Sequence, residues 1–172
     1  MSAGGSGLNA LVTPMVFDEE MDIESLAQTV FDTHAAIVQT AGLDLTETLS
    51  EKKIQEILET IQSILVPVFM SIYGQSPQER YSDIFEQVSD LAEHLATRHI
   101  FADGNKRTTF KISLGLLSMQ NIHLQVEDSP RPEDHLLYQW IQDDVTHARS
   151  RAELADFLRD NASVGDGNQD HD

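Results

Sequence analysis

The chemistry-bearing residues of this chain lie together in one short stretch. The first 51 residues hold no Lys or Arg against nine carboxylates, yet Arg98, Lys106, Arg107 and Lys111 fall within fourteen positions. Four of the chain's eleven cations gathered there, after a first third without any, mark a candidate anion site. A helix starting near Asn105-Lys106 adds free backbone N–H groups and the positive end of its dipole to that site. Gly104, just before it, permits the positive φ and close approach that a phosphate-cradling nest requires. A carboxylate at Asp103, beside such a nest, makes sense as a holder of Mg²⁺ on bound phosphates. His99, four residues earlier, supplies an imidazole able to take a proton from an attacking hydroxyl. Base, metal carboxylate, nest and cations together point to phosphoryl or nucleotidyl transfer.

The run His99-Ile100-Phe101-Ala102-Asp103-Gly104-Asn105-Lys106-Arg107 resembles the signature of the Fic/Doc (Fido) family, His-x-Phe-x-Asp/Glu-Gly-Asn-Gly/Lys-Arg. The resemblance extends over roughly residues 20–160 and is strongest over 81–126. It implies that His99 deprotonates a target hydroxyl and that Asp103 holds Mg²⁺ on the nucleotide. It gives Gly104 and Asn105 to the anion nest, Lys106 and Arg107 to the phosphates, and Phe101 to the anchoring of the loop in the core. Lys106 stands where most AMP-transferring relatives carry Gly, and Lys there is typical of the Doc (death on curing) branch. That branch implies transfer of the γ-phosphate of ATP to a Ser/Thr hydroxyl of a protein, with elongation factor Tu the associated target. Gly104 departs from the Ala frequent in Doc-type motifs and is shared with AMP-transferring relatives, so transfer of AMP or UMP by the same residues is the alternative. A module that binds a partner without catalysis is a second alternative, opposed by the presence of all the polar motif residues. The Ser/Thr-x-x-x-Glu-Gly/Asn helix of self-restraining relatives has no match, which implies a separate antitoxin chain.

The elements that must position these residues read as helices almost throughout. Ile23, Leu26, Ala27, Val30, Phe31, Ile37 and Val38 recur at the spacing of an amphipathic helix after Asp22, with Gly42 as its stop. Ile54, Ile57, Leu58, Ile61, Ile64 and Leu65 mark a second, ended or kinked by Pro67. Ser76-Pro77-Gln78-Glu79 opens a third that carries Tyr81 to Leu95 toward the motif. A helix over about 106–120 leaves the motif, Ile122 to Val126 alternates as a short strand, and two further helices follow, on the faces of Leu137, Trp140, Ile141 and of Leu154, Phe157, Leu158. Leu43 to Leu49 also alternates and lies where the family has its target-docking flap. The expected fold is an all-α Fic/Doc-type helical bundle with at most a short β-hairpin flap. Its expected limits are a flexible lead-in over 1–19, the domain over 20–161 and a disordered acidic tail over 162–172.

Composition limits the alternatives. The 172 residues suffice for one domain with a sizeable core, and the absence of cysteine removes disulfides, thiolate metal sites and thiol nucleophiles. A formal charge of −18 repels phosphate backbones and anionic bilayers, so neither nucleic acid nor membrane is the expected partner. The other histidines, His34, His94, His123, His135, His147 and His171, lack metal-ligand spacing and read as structural or surface groups. No signal-like segment or apolar run of membrane-spanning length is present, and a cytoplasmic location is expected.

Overall fold

The computed structural model describes residues 12–40 and 49–165. Among them, α1 (Glu20–Thr40) and α2 (Glu51–Phe69) are followed by a single turn, α3 (Pro77–Arg80), then by α4 (Ile84–Thr97) and α5 (Asn105–Met119). A short strand β1 (Ile122–Leu124), a 3₁₀ turn (Pro132–Asp134), α6 (Leu136–Val145), α7 (Arg151–Asn161) and β2 (Ala162–Val164) complete the order. The fold is an all-α bundle carrying one two-stranded sheet. β1 and β2 run antiparallel, Ile122 opposite Val164 and Leu124 opposite Ala162. The strands are distant in sequence, so this sheet is not a hairpin. The alternating segment expected as a flap lies, apart from Leu49, outside the described residues.

Three of the helices start where the sequence supplies a side-chain acceptor for the orphan amides of the first turn. Ser50 accepts from Lys53 N at 3.2 Å, Asp83 from Glu86 N at 2.9 Å and Ser150 from Glu153 N at 3.1 Å. The helix expected to run unbroken from Ser76 is instead two pieces. Its chain leaves α3 at Tyr81 in an extended conformation and restarts on the Asp83 cap, which outcompetes continuation. Pro67 does not end α2, which runs two residues further, and the Arg80 guanidinium closes that end by donating to the carbonyls of Pro67 and Met70.

Helix α5 is central, touching α1, α4, α6 and β1. It buries Phe110, Ile112, Leu116 and Leu117 together with Thr108 and Thr109. The two threonine hydroxyls donate back to the carbonyls of Gly104 and Asn105, both at 2.8 Å, so these buried hydroxyls are satisfied without water.

Two limits of the domain differ from expectation. The lead-in expected to be flexible is packed from Val12 onward: Val12 and Met15 are in the core and Phe17 stacks on Phe69 at 4.7 Å. The fully buried Gln87 amide holds it, accepting from Met15 N at 2.7 Å and donating to Met15 O at 2.7 Å. A Gly/Ser-rich start masked three apolar residues too few to show a helical period. The tail expected to be disordered from residue 162 begins as β2, because pairing with β1 satisfies its backbone where side-chain composition gave no sign.

Candidate active site

The motif is a loop between two long helices, and its backbone is shaped for the task. α4 ends at Thr97, and His99 follows at φ +50°, a left-handed conformation unusual for a residue with a Cβ. Gly104 reaches φ +82° and forms the N-cap of α5 without any side chain capping it. The first intrahelical bond is Thr108 N–H to Gly104 C=O at 3.0 Å, so the amides of Asn105, Lys106 and Arg107 have no acceptor in the helix.

The loop is clamped from inside. Phe101 is buried, and the Asn105 side chain takes both of its backbone groups: Oδ1 accepts from Phe101 N at 3.1 Å and Nδ2 donates to Phe101 O at 2.8 Å. The anchoring expected of Phe101 is therefore present. The contribution of Asn105 to a nest is its backbone amide, because its side chain is committed to the loop.

These residues converge on one open pocket of about 620 Å³, large enough for a nucleotide-sized ligand. His99, Asp103, Gly104, Asn105, Lys106 and Arg107 all line it. His99 and Asp103 are exposed, while Lys106 and Arg107 are half-buried. Neither the His99 ring nor the Lys106 ammonium has a hydrogen-bonded partner among the described residues. Every residue that the sequence nominated for the site is thus brought together. The apolar part of the wall comes from Ala96, Tyr138 and Val145, and Glu133 enters from the 3₁₀ turn to pair with Arg107.

Sequence reasoning missed three participants. Glu133, on the 3₁₀ turn, and Tyr138, on α6, carry no local signal that they reach the loop. His34, which has no metal-ligand spacing in the sequence, sits under the loop: its Nε2 lies 2.8 Å from the Asp103 carbonyl oxygen and its ring lies flat on Phe101, 3.6 Å between centroids. Burial holds the His34 imidazole below the usual histidine range, against the opposing pull of the Asp103 carbonyl and carboxylate.

A family model for the Fic/DOC family matches residues 22–117, more than half of the chain and the whole of the loop just described. The chain belongs to the Fic/DOC family. Comparison with curated proteins and with solved structures found no match. Members of the Fic/DOC family are typically transferases acting on protein hydroxyls and generally use ATP with a metal ion. The pocket of this Fic/DOC protein fits those requirements. Asp103 offers an exposed carboxylate of which only Oδ1 is engaged, by Gly104 N at 2.7 Å. Mg²⁺ characteristically takes one or two carboxylates together with phosphate oxygens and water, which such a donor beside an anion nest can supply. No helix of the described residues is long and apolar enough to cross a membrane.

Proposed function

We propose that this Fic/DOC protein transfers the γ-phosphate of ATP to a Ser or Thr hydroxyl of a protein, as a Doc-like toxin of the cytoplasm. The observation that carries the reading is the convergence, on one pocket, of an unpartnered imidazole with three acceptor-free amides and two cations. A nucleotide's phosphates occupy the start of α5, held by the amides of 105–107 and by Lys106 and Arg107. His99 accepts the proton of the incoming hydroxyl as its oxygen bonds to the γ-phosphorus. The bond between that phosphorus and the bridging oxygen breaks, and ADP leaves. Asp103 would hold Mg²⁺, which would supply neutralisation of the charge developing on the transferred group.

Lys106 favours the kinase branch by resemblance, and elongation factor Tu and a separate antitoxin chain are the partners that branch brings. Gly104, shared with AMP-transferring relatives, supports a second reading in which AMP or UMP is transferred by the same residues. One experiment separates them. The protein is incubated with Mg²⁺, a lysate and ATP labelled at either the α- or the γ-phosphate. Label retained on protein only from the γ-position supports the kinase, label only from the α-position overturns it in favour of nucleotide transfer, and the size of the labelled band reports the target. Nucleotide binding by calorimetry without label transfer from either position identifies a non-catalytic binding module.

A further inference from the structure

The peptide between Asp103 and Gly104 is held by a residue far outside the motif. His34 lies on the inward face of α1, only 8% exposed, with its ring parallel to Phe101 within 3°. A carbonyl oxygen only accepts, so the 2.8 Å contact with Asp103 O requires the proton on Nε2. The same ring edge passes 3.4–3.5 Å from where a Cβ on Gly104 would stand. A trans peptide directs its C=O and the following N–H to opposite sides. Tying the Asp103 carbonyl to α1 therefore turns the Gly104 N–H away from α1, where it donates to Asp103 Oδ1 at 2.7 Å.

We propose that His34 is a positioning residue: through this one peptide plane it fixes the direction of the Asp103 carboxylate on the pocket rim. The inference rests on the proposed function for what that carboxylate holds, and on geometry alone for how it is held. Its specificity comes from the combination of two contacts. The flat stack on Phe101 sets the plane of the imidazole, and the single N–H then has one acceptor within reach.

The test uses the full chain. Gly104 amide exchange is measured by NMR without ligand, and the gain in ATP affinity on adding Mg²⁺ is measured by calorimetry, for wild type, His34→Phe and His34→Gln. Phe keeps the stack and loses the donor; Gln keeps a donor and loses the stack. A lost hydrogen bond of ordinary strength corresponds to roughly fivefold to tenfold. Gly104 exchange should quicken by about that factor in His34→Phe, and the Mg²⁺-dependent gain should shrink by a similar factor, with both nearer wild type in His34→Gln. Unchanged exchange and unchanged Mg²⁺ dependence in His34→Phe overturn the proposal, as does equal loss in both variants, which is the signature of packing alone. Should the variants fail to fold, the ¹⁵N shifts of His34 in wild type decide: a proton on Nδ1 rather than Nε2 overturns the assignment. A wild-type chain that binds ATP without any Mg²⁺ effect counts against the proposed function, while Gly104 exchange still reports whether His34 holds the peptide.

Discussion

Two clefts of this molecule have nearly the same volume and a similar stock of charges, and they are opposite in character. The pocket at the start of α5 measures about 620 Å³ and is lined by His99, Asp103, Lys106, Arg107 and Glu133. The cleft between α4 and α7 measures about 580 Å³ and is lined by Glu86, Glu93, Arg151, Asp156 and Arg159. In the second, the cations are already matched. Arg151 donates to Asp90 at 2.6 Å and to Glu93 at 3.3 Å, and Arg159 donates to Asp83 at 2.7 Å and to Asp156 at 2.5 Å. Asp90, Glu93 and His94 stand close enough together to be read as a metal site, but Arg151 and the Tyr81 hydroxyl, 2.5 Å from Asp90, already occupy that carboxylate. In the first, the imidazole, one ammonium and three amides face open volume, on a backbone bent twice into left-handed conformations. Charge density and concavity therefore do not distinguish a site from a salt-bridge network; unmatched donors held by a strained backbone do.

The sharpest way to break the comparison is to remove one group from the first cleft. His99→Ala should lower label transfer by about 10²–10⁴-fold, the usual worth of a general base, while the helical circular dichroism stays unchanged. Undiminished transfer would remove His99 as the base. Arg107→Ala comes next, because a charge-assisted bond to phosphate contributes about 1.5–3 kcal/mol, or roughly one to two orders of magnitude in kcat/KM. Glu133 competes for that same guanidinium, so Glu133→Gln should act in the opposite direction and tighten nucleotide binding several-fold by calorimetry. Weaker binding in Glu133→Gln would mean that the glutamate orders Arg107 rather than competing for it.

The site was legible in the sequence to an unusual degree because its parts are local. His99 to Arg107 share one loop, so their types and spacing already contained the imidazole, the carboxylate and the donors that the structure brings to one pocket. The bundle was legible for a related reason: α1, α2, α4 and α5 each bury a stripe at helical spacing, and α2 and α4 begin on side-chain caps, Ser50 and Asp83. Non-local partners left no such trace. His34 reaches the loop across 69 positions and Glu133 across 26 from Arg107, and neither separation follows from a period. Val12, Met15 and Phe17 were overlooked because a packed extended segment needs only a few apolar contacts and one buried amide, Gln87, to hold it. β2 was overlooked because three residues of Ala, Ser and Val become a strand only when β1 is beside them.

The second cleft makes a smaller prediction. Arg151→Ala should lower unfolding stability by about 1 kcal/mol, since its guanidinium is nearly half exposed and solvent screens much of each pair. Label transfer should stay within about twofold of wild type, and a loss comparable to that of Arg107→Ala would show that the two clefts work as one.

The smallest effect concerns the wall between the clefts. Asp144, on α6 beside Val145 of the pocket, is only 3% exposed, and burial, reinforced by the negative charge of Glu93, pushes its carboxyl up to about 6. A carboxylic acid whose folded value lies above its unfolded one binds more protons in the folded state, so stability falls as pH rises between about 4 and 6. Arg151 and His147 offset part of this, yet a charged Asp144 at neutral pH opposes folding. Asp144→Asn should therefore gain about 1 kcal/mol at pH 7 and nothing at pH 3, where Asp144 is protonated in both states, as read by urea unfolding at the two pH values. Transfer activity should not move with it, because the group faces the paired network rather than the open pocket. A gain that persists at pH 3 would place the effect in packing, and a loss at pH 7 would mean that the charged carboxylate is a required member of the Arg151 network.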